Sequence, residues 1–214
     1  MTDKKAPIGV LGGTFDPIHN GHLRPALETL QALALSEVRF IPCRQPPHRD
    51  QPMVSPDQRL AMLRLAVAEQ PGFVVDDREL SRDGPSYMVD TLASLRDEIG
   101  ATPLCLLIGL DAFVDFHRWH RWQEIPALAH LVVWQRPEVG QSFPDVIENL
   151  ILQRRLDDPD DLREQPAGAI LFQPVTQLAI SATGIRVVLS EGRSPRYLLP
   201  ETVRAYINDQ GLYR

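Results

Sequence analysis

The chain is short of the residues that build metal cages and disulfide frameworks. It has two cysteines, Cys43 and Cys105, at no metal-type spacing, and Cys105 lies inside the apolar run LCLLIG. Both read as reduced thiols in a cytoplasmic protein. Cationic charge is also scarce: 22 Lys and Arg against 28 Asp and Glu leave a net charge of −6. That excludes nonspecific attraction to nucleic acid or acidic membranes, which needs a basic surplus. No apolar run approaches the ~20 residues of a membrane span. The N-terminal MTDKKAPIGVLGG has no long apolar stretch of the signal-peptide kind. No internal repeat is visible, and nothing specifies an oligomeric state. Neither the dinucleotide fingerprint GxGxxG nor the Walker A ending GK[ST] occurs.

What is present is an ordinary folding composition, 43% hydrophobic and 23% charged over 214 residues. That length suits a single domain spanning 1–214, with a C-terminal helical part from about 181 to 214. Short apolar runs at 8–11, 38–42, 73–77, 103–109, 131–135 and 169–173 alternate with helix-length segments. Near-continuous apolar character suits strands covered on both faces, as in a parallel sheet. The helical segments carry Leu23, Leu27, Leu30 and Ala34, then Leu60, Leu63 and Val67 behind a Ser55-Pro56 start signal. A third runs from about Ser86 to Arg96, and the last from Pro200 to a stop at Gly211. The expected fold is therefore α/β, a Rossmann-like doubly wound parallel sheet with helices on both faces. The acidic stretch 157–168, DDPDDLREQPAG, reads as an exposed loop behind an amphipathic segment.

The first strand runs into GGTFDPIHNGHL, residues 12–23, which holds two of the six histidines. Gly12 and Gly13 carry no Cβ, so a large ligand can approach their backbone N–H groups. Thr14 adds a hydroxyl. His19 and His22, three apart, share one side of a helix's first turn. Beside a helix N-terminus they offer a site for anionic oxygens. Pro25 suits a helix capped at Gly21 or His22 and costs one hydrogen bond in a helix that starts earlier. A structural turn with incidental histidines is one alternative. Zinc is another, without a third local ligand.

Further stations follow. ISATGIR (180–186) turns a strand end into a helix, with Ser181 and Thr183 hydroxyls and the Arg186 guanidinium on its first turn. It reads equally as a capped helix with a solvated Arg. The proline-rich loop 43–52 carries positive charge on Arg44, His48 and Arg49 and by itself reads as a solvated surface loop. Ser86 reads as an N-cap, followed by Tyr87 and Met88 at a helix start whose bare N–H groups suit a carboxylate. Asp111 behind LIGL either accepts from ribose hydroxyls or caps the next helix. Trp119 and Trp122 in HRWHRW suit core packing.

GGTFDPIHNGHL resembles the signature of the HxGH nucleotidylyltransferase superfamily. With IPCRQPPHR, PSYMVDTL, LIGLDAFVDFHRW, ISATGIR and the tail YLLPETVRAYINDQGLY in that order, the chain is similar nearly end to end to the bacterial nicotinate-nucleotide adenylyltransferase family. The resemblance implies transfer of AMP from ATP to nicotinate mononucleotide, giving nicotinate adenine dinucleotide and pyrophosphate, a step of NAD biosynthesis. It implies Mg2+ carried on ATP, with no protein-held metal. His19, His22 and Arg186 become the catalytic groups. Gly12, Gly13, Thr14, Phe15, Asp111, Arg136, Ser181 and Thr183 join them in holding ATP. Asp16, His48, Arg49, Ser86, Tyr87, Met88 and Trp119 hold the mononucleotide, with Trp119 stacked on the pyridine ring. The family often has Thr where Met88 stands. Rival acceptors within the superfamily are nicotinamide mononucleotide, phosphopantetheine, FMN and a glycerol phosphate. A tRNA synthetase relative would need an RNA-binding surface, which this acidic chain lacks. A sensor without activity would be expected to lack part of HxGH or ISATGIR, and both are present.

Overall fold

The apolar runs become strands, and those at the centre of the sheet are buried on both sides. The computed structural model describes residues 5–46, 51–135 and 142–214. Among these, seven strands form one sheet: β1 (Ile8–Gly13), β2 (Glu37–Pro42), β3 (Phe73–Val75), β4 (Leu104–Gly109), β5 (His130–Gln135), β6 (Arg155–Leu156) and β7 (Ile170–Pro174). Their order is β3-β2-β1-β4-β5-β7-β6, and every pairing is parallel. The chain starts in the middle, runs outward to β3, and returns to β4 on the other side of β1. The topological switch point lies between β1 and β4, where sheets of this kind receive ligands at the strands' carboxyl ends.

The helices are α1 (Asn20–Ala32), α2 (Pro56–Val67), α3 (Met88–Ile99), α4 (Leu110–Val114), α5 (Ile125–Leu128), α6 (Asp145–Arg154), α7 (Ala182–Ser190) and α8 (Glu201–Asp209). Strand residues alternate between two core clusters. Val10, Leu106, Ile108 and Val133 pack with Val89, Leu92 and Leu95 of α3. Leu11, Cys105, Leu107 and Val132 pack on the other face with Met62, Leu63, Ile185, Val203 and Ile207 of α2, α7 and α8. Each fully buried aliphatic side chain contributes roughly 1.5–3 kcal/mol. Two covered faces are what the unbroken apolar runs predict. Burial pushes the Cys105 thiol up to about 12, so it is an inert core residue.

Three local expectations are corrected. α1 starts at Asn20 with His19 as its N-cap, not at Gly21 or His22, so Pro25 lies inside the helix. The α2 stripe is Arg59, Met62, Leu63 and Val67, not Leu60, Leu63 and Val67. The stretch 157–168 is not wholly exposed: a 3-10 helix at Pro159–Arg163 buries Leu162 in the core. The α2 start is as the sequence signals, a capping box in which Ser55 accepts from the Gln58 N–H and Gln58 reaches back to the Ser55 N–H.

Candidate active site

The carboxyl end of β1 delivers the segment 12–22 to the switch point. His22 donates its N–H to the His19 carbonyl at 2.9 Å. The two imidazoles stack with centroids 3.8 Å apart, and the Phe15 ring meets His22 edge-on at 5.2 Å. Spacing of three residues on the first turn is thus realised as direct ring contact. His19 is 4% exposed, and burial pushes its pKa down to about 4. The imidazole is neutral at neutral pH. Among the described residues, its Nδ1 has no hydrogen-bond partner, which in a buried group marks unused capacity.

The glycines admit close neighbours rather than a special backbone. A Cβ at Gly12 would stand 2.3 Å from the Met88 methyl, and one at Gly13 would stand 2.9 Å from the Phe15 ring. Side chains of this chain therefore occupy the room the missing Cβ atoms leave. Gly21 has the His19 ring and the Ile180 carbonyl against it, so ISATGIR lies directly over the first turn of α1.

ISATGIR forms the start of α7 as expected. Ser181 is its N-cap and accepts from the Gly184 N–H, which leaves its own hydroxyl proton for a ligand. Arg186 donates to the Thr183 hydroxyl at 3.2 Å and to the Asp16 carbonyl at 2.8 Å. The guanidinium is not a solvated arm: it joins the two phosphate-type motifs across 170 residues of sequence.

Asp16 is turned inward. Its Oδ1 accepts from the Tyr213 hydroxyl at 2.6 Å and its Oδ2 from the Met53 N–H at 2.9 Å. Both oxygens of the carboxylate assigned to the mononucleotide are thus engaged inside the protein. Thr14 is held through its carbonyl by Arg59, which is fully buried. The same Arg59 guanidinium donates to Thr14 O at 2.7 Å and to Arg44 O at 3.3 Å, tying the glycine turn to the start of loop 43–52. Sequence reasoning missed Arg59. Its signal was the four-residue spacing Arg59–Leu63–Val67 along a buried stripe.

Before α3, Ser86 is not a cap. α3 is capped by Tyr87, without a side-chain bond. The Ser86 hydroxyl accepts from the Arg44 N–H and its N–H donates to the Gln45 carbonyl, both at 3.0 Å, so its polar groups serve loop 43–46 instead. Arg44 is exposed but paired with Asp83 at 2.9 Å. The Tyr87 ring stacks on His120 at 4.1 Å, which brings 86–88 and 119–120 together. Trp119 and Trp122 are both half-buried, and each packs on Phe116. Asp111 is exposed in the first turn of α4, whose N-cap is Gly109, so it does not cap that helix. His48, Arg49 and Arg136 lie outside the described residues. Among the described residues, no group of three or more His, Cys, Asp or Glu stands together as a metal cage. No helix there is long and apolar enough to cross a membrane.

Comparison with known proteins places this geometry. The cytidylyltransferase-like family model matches residues 10–188. A protein of Methylococcus capsulatus named "Probable nicotinate-nucleotide adenylyltransferase" is 52% identical over 207 residues, 96% of this chain and 99% of that one. A protein of the same name in Halorhodospira halophila is 54% identical over 206 residues, 96% of this chain and 94% of that one. In fold, the chain matches the nicotinic acid mononucleotide adenylyltransferase of Plasmodium falciparum, solved with NaAD. The TM-score is 0.72 over 97% of both chains, at 15% identity.

Proposed function

The chain belongs to the cytidylyltransferase-like family and, within it, to the nicotinate-nucleotide adenylyltransferases, and from that premise we propose that its switch-point site transfers AMP from ATP to nicotinate mononucleotide. An oxygen of the mononucleotide phosphate attacks the α-phosphorus of ATP. The bond from that phosphorus to the bridging oxygen breaks, and pyrophosphate leaves. The attacking phosphate is already a nucleophile, so the protein needs no covalent intermediate and no strong base. Its work is alignment and stabilisation of charge on the α-phosphoryl and leaving oxygens.

The observation that carries this reading is the junction of His19, His22 and Arg186 around the Gly12–Asp16 turn. Backbone N–H groups of Gly12, Gly13, Thr14 and Phe15, the α1 N-terminus and the Ser181 and Thr183 hydroxyls complete an anion-binding rim. Neutral His19 enters as a hydrogen-bonding group, and an arriving triphosphate favours its protonated form. ATP enters as its magnesium complex. Magnesium on the nucleotide would keep most of its water and supply charge neutralisation on the phosphate oxygens. Asp111 and Arg136 are assigned to the adenosine. His48, Arg49, Ser86, Tyr87, Met88 and Trp119 are assigned to the acceptor, and Asp16 to holding the loop between them.

We take residues 1–214 as one domain, because α7 and α8 share a core cluster with β1 and β2. We place the reaction in the cytoplasm, where ATP is held. The test is incubation with MgATP and a panel of acceptors, following pyrophosphate release. Fastest turnover with nicotinate mononucleotide is expected. No release with either pyridine mononucleotide sinks the reading.

A further inference from the structure

Asp16 is the node through which the two catalytic motifs are spaced. Its preceding neighbour, Phe15, places a ring edge against His22. Its carbonyl anchors Arg186 at 2.8 Å, and the same guanidinium stands 3.9 Å from Oδ2. A shift of Asp16 therefore changes the separation of His22 and Arg186. What holds its Oδ1 comes from the far end of the chain, 197 residues away: the hydroxyl of Tyr213, at 2.6 Å.

The tail is shaped for this contact. Beyond α8, Gly211 has φ 64 and Tyr213 itself has φ 62, a left-handed conformation that is unfavourable for a residue with a Cβ. The Leu212 N–H returns to the Ile207 carbonyl at 3.0 Å. These turns bury the phenol, which is 5% exposed. Burial, and then the Asp16 carboxylate, push the phenol well above its usual range, so it stays protonated and a donor.

We propose that Tyr213 is a positioning residue for adenylyl transfer: by donating to Asp16 it fixes the 14–17 loop, and through it the spacing of His22 and Arg186. The proposal rests on the transfer reading above. Loss of the hydroxyl leaves a buried carboxylate oxygen without its donor, so the loop moves to find another. The groups displaced act on the transition state, so kcat falls and KM changes little.

The experiment compares Tyr213→Phe with Val203→Ala, a fully buried α8 residue that carries no polar group and so donates nothing to Asp16. Steady-state kinetics with MgATP and nicotinate mononucleotide, melting temperature, and the imidazole NMR signals of His19 and His22 are recorded for each. Tyr213→Phe is expected to lose roughly 10- to 100-fold in kcat, with both KM values within about threefold and shifted imidazole signals. Val203→Ala is expected to lower the melting temperature while leaving kcat and the imidazole signals as in the wild type. Wild-type kcat in Tyr213→Phe overturns the proposal. So does an equal loss of kcat in both variants at equal loss of melting temperature. A wild-type protein that turns over neither pyridine mononucleotide defeats the reaction, and unmoved imidazole signals in Tyr213→Phe then defeat the positioning role as well.

Discussion

The two edges of the sheet use the same residue types in opposite ways. At the amino edge, His130 opens β5, donates through Nε2 to the Gln165 carbonyl at 2.9 Å, and accepts at Nδ1 from the Ala169 N–H at 3.0 Å. Arg96 beside it donates to the carbonyls of Leu128, Gly100, Thr102 and Pro166. At the carboxyl edge, His19 and Arg59 are also buried, yet His19 Nδ1 and Arg59 Nε have no hydrogen-bond partner among the described residues. A buried group with every valence used is a fastener. One with valence left over is available to a ligand or is held for one.

The largest effect that tests this contrast is on catalysis. His22→Ala is expected to cost about 100-fold or more in kcat, with far-UV circular dichroism and melting temperature near wild type. A folded variant with near-normal kcat removes the functional half of the comparison. Arg59→Met comes next. It keeps an unbranched apolar stem and removes the donors to Thr14 and Arg44, so kcat/KM for both substrates is expected to fall about 10-fold. Stability changes less, because a buried guanidinium that donates to neutral carbonyls carries a large desolvation cost that the variant relieves. Arg96→Met is the mirror experiment. Urea unfolding is expected to show a loss of about 2–4 kcal/mol, since several carbonyls lose their donor together, while kcat at 25 °C stays within about twofold. If Arg59→Met loses only stability, or Arg96→Met chiefly kcat, the edges have been assigned the wrong way round.

The sheet was legible in the sequence, while the amino-edge fasteners and half the site were not, for a physical reason. Strand runs such as LCLLIG and LVVWQ are apolar at every position, and burial on both faces follows directly. Ser55-Pro56 announces α2 because a cap is a local bond between residues three apart. The histidine pair and Thr183–Arg186 are local as well. Arg59 and Tyr213 act on backbone or carboxylate groups 45 and 197 residues away, and no spacing rule reports such distances. Ser86 was misread for the same reason. A serine before a helical run looks like a cap, but its hydroxyl accepts from the Arg44 N–H, 42 residues away. Asp16 was placed at the acceptor by resemblance alone, and the hydroxyl of Tyr213, 197 residues away, engages its carboxylate inside the protein.

The smallest effect is also the one that separates the two edges without a mutation. Burial lowers the pKa of both His19 and His130 from the usual 6.5. In each case the unfolded chain binds the proton first as pH falls. Their contribution to stability is therefore full above pH 6.5 and declines below it, ending for His19 near its folded value of about 4. Each group adds a slope of up to about 1.4 kcal/mol per pH unit in that window. Urea unfolding between pH 7 and 5 is expected to show this loss, and His130→Asn to make it shallower by one group. Saturating MgATP then distinguishes the edges. A triphosphate over α1 accommodates a proton on His19, so that part of the slope shrinks, while His130, bonded on both nitrogens to backbone, keeps its part. Equal slopes with and without MgATP would mean that His19 is as closed to the ligand as His130, and that its unused nitrogen is a packing defect.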